Sequence, residues 1–200
     1  MRASIHACIA LGLSLIGGYG WAQISSAPGG STQAGSVPIS QLISTVARSA
    51  GKKFIIDPRA QSEALIVGQN PADLTYGDLL MVLQVNGFAA VEGGGYVRVV
   101  PDAIVRAMAL PQVSTNDKRP DAEYVSRVIP VRNIPAASLV PILRPLLPQQ
   151  AHLAAAICSN TLIVVDTFAN VKRIEALVQS VDMGEPYRSK KCEIAPPEKR

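Results

Sequence analysis

Few residues in this chain are chemically equipped for catalysis. Of its two histidines, His6 lies in an apolar N-terminal run that reads as a removable signal, so His152 would be the only imidazole of the mature chain. A metal centre needs three or four convergent ligands, and nothing near His152 in sequence supplies them, so its expected role is structural or at the surface. Gly93-Gly94-Gly95 precedes a strand-like segment, Tyr96 to Val100. Phosphate cradles instead use the N–H groups of a following helix, so this glycine run is read as a hairpin loop. No G-x-S-x-G elbow occurs, and Cys158 has no base or orienting carboxylate in its own segment. The expectation is a non-enzymatic protein with no catalytic, metal or cofactor site.

Residues 1–22 have the form of a secretory signal: Arg2, an apolar run from Ile5 to Ile16, then small residues around Gly20 and Ala22. About a dozen apolar residues fall short of the roughly 20 needed to span a bilayer. Cleavage leaves 178 of the 200 residues and lowers the net charge of +4 by one. That excess is small and evenly spread, which argues against nucleic acid or an anionic membrane as partner. Export also leaves Cys158 and Cys192 as the remaining cysteines. In an oxidising compartment they can pair; the alternative is a buried, inert Cys158 in a strand.

The elements that position these residues follow from periodicity. Residues 23–36 are small and polar, a leader with little to bury. Ile39, Leu42, Ile43, Val46, Ala47 and Ala50 recur at helical spacing, with Gly51 placed for a left-handed terminator. Strands are expected at 53–56 and 64–67. A helix then opens at Thr75 with Asp78 in capping-box spacing, buries Leu79, Leu80 and Leu83, and ends at Asn86-Gly87. Phe88 to Val91 and Tyr96 to Val100 form a hairpin. The polar, proline-bounded stretch 111–122 reads as a linker.

Beyond it come a strand at 124–131, a helix at 136–147 in which Ser138 as cap would put Pro141 in the first turn, and a hairpin turning at Ser159-Asn160. Leu162 to Val165, apolar and rich in β-branched residues, reads as a strand covered on both faces. Thr167 is expected to cap a final helix whose stripe is Val171, Ile174, Leu177, Val178 and Val181, with Glu175 left to water. Arg127, Arg132, Arg144, Lys172 and Arg173 read as a solvated face. The expected class is α+β: two small α/β sandwich-like domains at 37–110 and 123–182, the second β-α-β-β-α, followed by a polar tail, 183–200. That order also occurs in RNA-binding KH domains, but their G-x-x-G clamp is missing, since no glycine lies between Gly95 and Gly184.

Arg127 to Ala136, Leu139 to Leu143 and above all Asn160 to Ile174 resemble the N-one domain of bacterial secretins, most like those of type II secretion. Phe54 to Pro58 and Val82 to Phe88 resemble the preceding N-zero domain. The resemblance implies a periplasmic, outer-membrane-associated secretion component whose domains stack as rings. Its implied partners are an inner-membrane platform protein, further secretin subunits and exported proteins, with no nucleic acid. The edge at Leu65, Ile66 and Val67 is the expected partner-binding strand. Residues 183–200 lack the strand-length alternation of a barrel, so the chain is not expected to line a pore by itself. A periplasmic signalling module, like that of TonB-dependent receptors, is the second reading.

Overall fold

The computed structural model describes residues 35–187; the expected signal, most of the expected leader, Cys192 and the end of the tail lie outside the described residues. Mixed helices and small sheets make this an α+β fold. The first half runs β1 (Ser36–Pro38), α1 (Ile39–Ala50), β2 (Phe54–Ile56), β3 (Glu63–Leu65), α2 (Tyr76–Val85), β4 (Phe88–Gly93) and β5 (Tyr96–Pro101). β1 pairs with β3 in a two-stranded antiparallel sheet, and β2-β5-β4 form a second sheet in which β2 runs parallel to β5. Ile39, Leu42, Ile43 and Val46 of α1, Leu79, Leu80 and Leu83 of α2, Ala64 of β3 and Val97 and Val99 of β5 share one core.

Local devices close these elements where the sequence places them. Gly51 takes φ 63° at the end of α1. The Thr75 side chain accepts the Asp78 amide at 3.2 Å while the Asp78 carboxylate accepts the Thr75 amide at 2.9 Å, a reciprocal capping box. Gly94 and Gly95, with φ 63° and 79°, turn the β4–β5 hairpin, a conformation that other residues adopt only with strain.

The second half contains β6 (Tyr124–Pro130), α3 (Ala136–Leu143), β7 (His152–Ala156), β8 (Thr161–Thr167) and α4 (Phe168–Val181), with an antiparallel sheet ordered β6-β8-β7. The β-α-β-β-α order is as read from sequence, but four details differ. β8 is covered on one face only: Leu162 and Val164 are buried while Ile163 is exposed, because both helices pack on the same side. Thr167 stands at the start of α4 without a side-chain cap bond. The first amides of α4 instead reach back along the chain, Phe168 N to the Glu123 carbonyl at 2.8 Å and Ala169 N to that of Asp121 at 3.0 Å. Ser138 does not cap α3; its hydroxyl donates to the Pro135 carbonyl, and Pro141 lies inside the helix. α3 ends at Leu143 and a 3-10 turn, Arg144–Leu146, carries Pro145. Finally, Arg127 belongs to no solvated face.

Arg127 is only 5 % exposed. Its guanidinium meets the Glu175 carboxylate at 2.5 Å, the Val113 carbonyl at 3.1 Å and the Thr115 hydroxyl. Glu175 is thereby drawn out of solvent. The linker is held by the same strand: Ser126 N donates to the Pro111 carbonyl and Val113 N to the Ser126 carbonyl, each at 2.9 Å, so Pro111 to Val113 lie parallel to β6 with Val113 buried.

A third, small core joins the halves. Alternation along β4 puts Phe88 and Ala90 into the first core and Ala89 and Val91 on the opposite face, where they pack with Val105 and Tyr124. Burial pushes the Tyr124 hydroxyl up to about 12.

Candidate protein-interaction site

Among the described residues no group of three or more metal-ligating side chains converges. His152 is exposed at the first position of β7, opposite Val165 of β8. Cys158 lies in the β7–β8 turn, exposed, and not in a strand core, so the buried reading of that thiol does not hold. It is disulfide-bonded, and Cys192 lies outside the described residues.

The predicted strand 64–67 forms as Glu63–Leu65, at the margin of the two-stranded sheet. Ile39 N donates to the Ser62 carbonyl at 3.0 Å. The alternation of an antiparallel ladder therefore makes Val37 and Ala64 the bonded pair and turns the backbone groups of Glu63 and Leu65 outward. On the β1 side the corresponding edge includes Pro38, which has no N–H. β3 is thus the edge with donors and acceptors to offer. Leu65 is 66 % and Val67 72 % exposed, whereas Ile66 is half-buried and packs on the first core. Ile66 therefore supports the edge from beneath.

A feature that sequence reasoning missed lies beside this edge. Met81, Val82 and Val85 of α2 line an open groove with Ala64 and Leu65, and Val85 is 88 % exposed. The signal was present: α2 is apolar nearly all round, more than one buried face requires. An outward-facing strand edge flanked by an apolar trough fits strand addition, in which main-chain bonds hold an extended partner and alternate side chains fill the trough.

The second half presents apolar residues on both sides: Val128 and Ile163 on the open face of its sheet, Ile142, Leu146 and Val181 on the helical side. Scattered exposed apolar residues are ordinary, but two opposed faces are what head-to-tail packing of copies uses. Asp182, just beyond α4, accepts the amides of Arg132 and Asn133, each at 2.7 Å, and of Ile134 at 3.2 Å. Burial works to raise this carboxyl, but the three amides prevail and hold it below the usual carboxylate range.

Residues 35–99 match the family model for the GspD-like N0 domain, and residues 126–186 match that for the short domain of bacterial type II/III secretion systems. These are the N-terminal domains of a secretin. The chain is 34% identical over 146 residues to secretin XcpQ of Pseudomonas aeruginosa, covering 72% of this chain and 21% of that protein. It is 30% identical over 150 residues to secretin PulD of Klebsiella pneumoniae, covering 72% of this chain and 23% of that protein. The chain therefore spans about a fifth of the length of these curated relatives. Among solved structures, the Klebsiella pneumoniae type II secretion outer membrane complex of PulD, PulS and the PulC HR domain is similar, with a TM-score of 0.64 at 30% identity over 76% of this chain and 26% of that one. The secretin match extends across both halves, so it accounts for the second half, which a signalling module of the receptor kind does not need.

Proposed function

We propose that this chain acts in protein–protein assembly within a type II secretion apparatus, in the periplasm and on the outer-membrane side. In this reading residues 37–110 and 123–182 are its two domains, joined by 111–122, with residues 1–22 as the export signal. The first domain takes an inner-membrane platform protein on β3, with Leu65 and Val67 in contact and Ile66 as support. The second packs against copies of itself, and exported proteins pass over the assembled domains. Cys158 pairs with Cys192 in the same proposal. The observation that carries it is the outward-facing β3 edge beside the groove of Met81 and Val85, in a chain whose matched residues are secretin N-terminal domains.

Leu65→Pro tests the edge. It removes an outward amide and leaves the Val37–Ala64 bonds in place, so binding to the periplasmic part of the platform protein, followed by calorimetry, is expected to weaken at least tenfold with the melting curve little changed. Wild-type affinity in this variant would remove β3 from the proposal. Met81→Asp and Val85→Asp should weaken the same binding through the trough.

A further inference from the structure

The outer face of the β2-β5-β4 sheet is divided. Its β4 side, Ala89 and Val91, is sealed by Val105 and Tyr124. Its β2 side is not. Residue 53 falls opposite 96 and Ile55 opposite Arg98, so alternation places Lys53, Ile55, Tyr96 and Arg98 together on the uncovered part. Ile55 is 54 % exposed there. The hydrogen bonds from Val97 N to the Lys53 carbonyl at 2.7 Å and from Asp57 N to the Val99 carbonyl at 2.9 Å show which backbone groups face β5. By the parallel pattern Ile55 faces β5 as well, and the amides and carbonyls of Phe54 and Ile56 point away from the sheet. No bond among the described residues engages them on that side.

Charge on this surface is unbalanced. The nearby carboxylates are already committed, Glu92 to Lys52 at 2.6 Å and Asp57 to Arg59 at 2.8 Å. Among the described residues Lys53 has no ion pair, and it stands 5.9 Å from the centre of the Tyr96 ring. Among the described residues Arg98 has none either; its guanidinium lies over Gly93, and its Nε is buried with no hydrogen-bond partner among them. A cleft lined by Lys53, Gly93 and Tyr96 opens at this end of the sheet.

We propose that the outer side of β2 binds an extended acidic segment of a partner protein, which adds to the sheet as a fourth strand and places a carboxylate on Lys53. A strand added beside Phe54 and Ile56 would lie about 4.8 Å from β2, with every second side chain, about 6.6 Å apart, above the face that holds Ile55. Carboxylates at such positions come within reach of the Lys53 ammonium, while the Arg98 guanidinium, further in over Gly93, adds a longer-range attraction. A cationic or uniformly apolar segment would leave Lys53 without a partner. The site is separate from β3 and does not rest on the reading given to that edge.

The test uses the full chain and a fluorescein-labelled eight-residue peptide of alternating Glu and Val, followed by anisotropy, with a Lys-for-Glu peptide as control. The acidic peptide is expected to bind and the cationic one not. Lys53→Glu should weaken binding about five- to tenfold, since it replaces an attraction with a repulsion. Ile56→Pro, which removes an outward amide, should weaken it as well, whereas Leu65→Pro should not. Equal binding of both peptides, or wild-type affinity in Lys53→Glu, would overturn the proposal. So would a loss of binding that follows Leu65→Pro in place of the β2 variants. Lys53 is exposed, so its variant keeps the test decisive even if Ile56→Pro melts early.

Discussion

The two halves are of comparable size, yet they fasten their elements differently. In the first half the caps and turns that end its elements are local. Thr75 and Asp78 are three residues apart, Gly51 adjoins the helix it ends, and Gly94-Gly95 sit between the strands they turn. In the second half they are distant. Asn160, at φ 49°, accepts the Ala136 amide at 2.8 Å through its side chain and donates to the carbonyls of Val131 at 2.7 Å and Ile134 at 3.0 Å. Asp182 ties the end of α4 to residues about 50 positions earlier. Arg127 joins β6 to α4 and to the linker. A half held by distant polar bonds depends more on each of them, because losing one partner leaves the other buried and unsatisfied.

Arg127→Ala is the strongest challenge to that contrast. Breaking a buried pair from one side costs on the order of 3 kcal/mol, and the loss should appear in denaturant midpoints. A Glu175→Ala variant and the double variant, taken as a cycle, should show strong coupling; additive effects would mean that the pair is not what matters. Asn160→Ala comes next, at about 2 kcal/mol, since three hydrogen bonds go and a residue less tolerant of positive φ arrives. Asn160→Gly should recover only the backbone part. Thr75→Ala, the local counterpart, should cost about 1 kcal/mol. If it matches Arg127→Ala, the distinction between the halves fails.

The smallest expected effect is that of pH at Asp182. Its folded pKa is depressed, so its contribution is fully present above the unfolded value, near 3.9, and is lost as pH falls through the folded value. The stability gap between wild type and Asp182→Asn, measured by thermal melts, should be constant at neutral pH and close below about pH 4. A gap that widened in acid would contradict the assignment.

Sequence and structure agree best where a signal is confined to one turn or one strand. The α1 stripe, the capping box, the glycine hairpin and the order of the second half were all legible. So was an edge near Leu65, although β3 stops one residue short of Ile66. The misreadings involve neighbours that are remote in the chain. Thr167 had the right type for a cap, but the carbonyls of Asp121 and Glu123 reached the amides first. Leu162 to Val165 looked suited to a doubly covered strand, yet both helices fell on one side. Arg127 resembled other surface arginines until Glu175 and Val113 surrounded it. The trough beside β3 went unread because the excess apolar character of α2 has meaning only once its buried face is known.

The amino-acid sequence by itself determined the order of the main helices and strands and those ends set by a local cap or turn, since caps, turns and periodicity act over a few residues through backbone sterics and local hydrogen bonds. It also carried the secretin likeness. Tertiary structure alone decided which sheet faces are covered, which edges still offer backbone bonds and which charges have no partner. Those properties depend on what lies across a gap of several ångströms, and residues separated by 50 positions in the chain fill it.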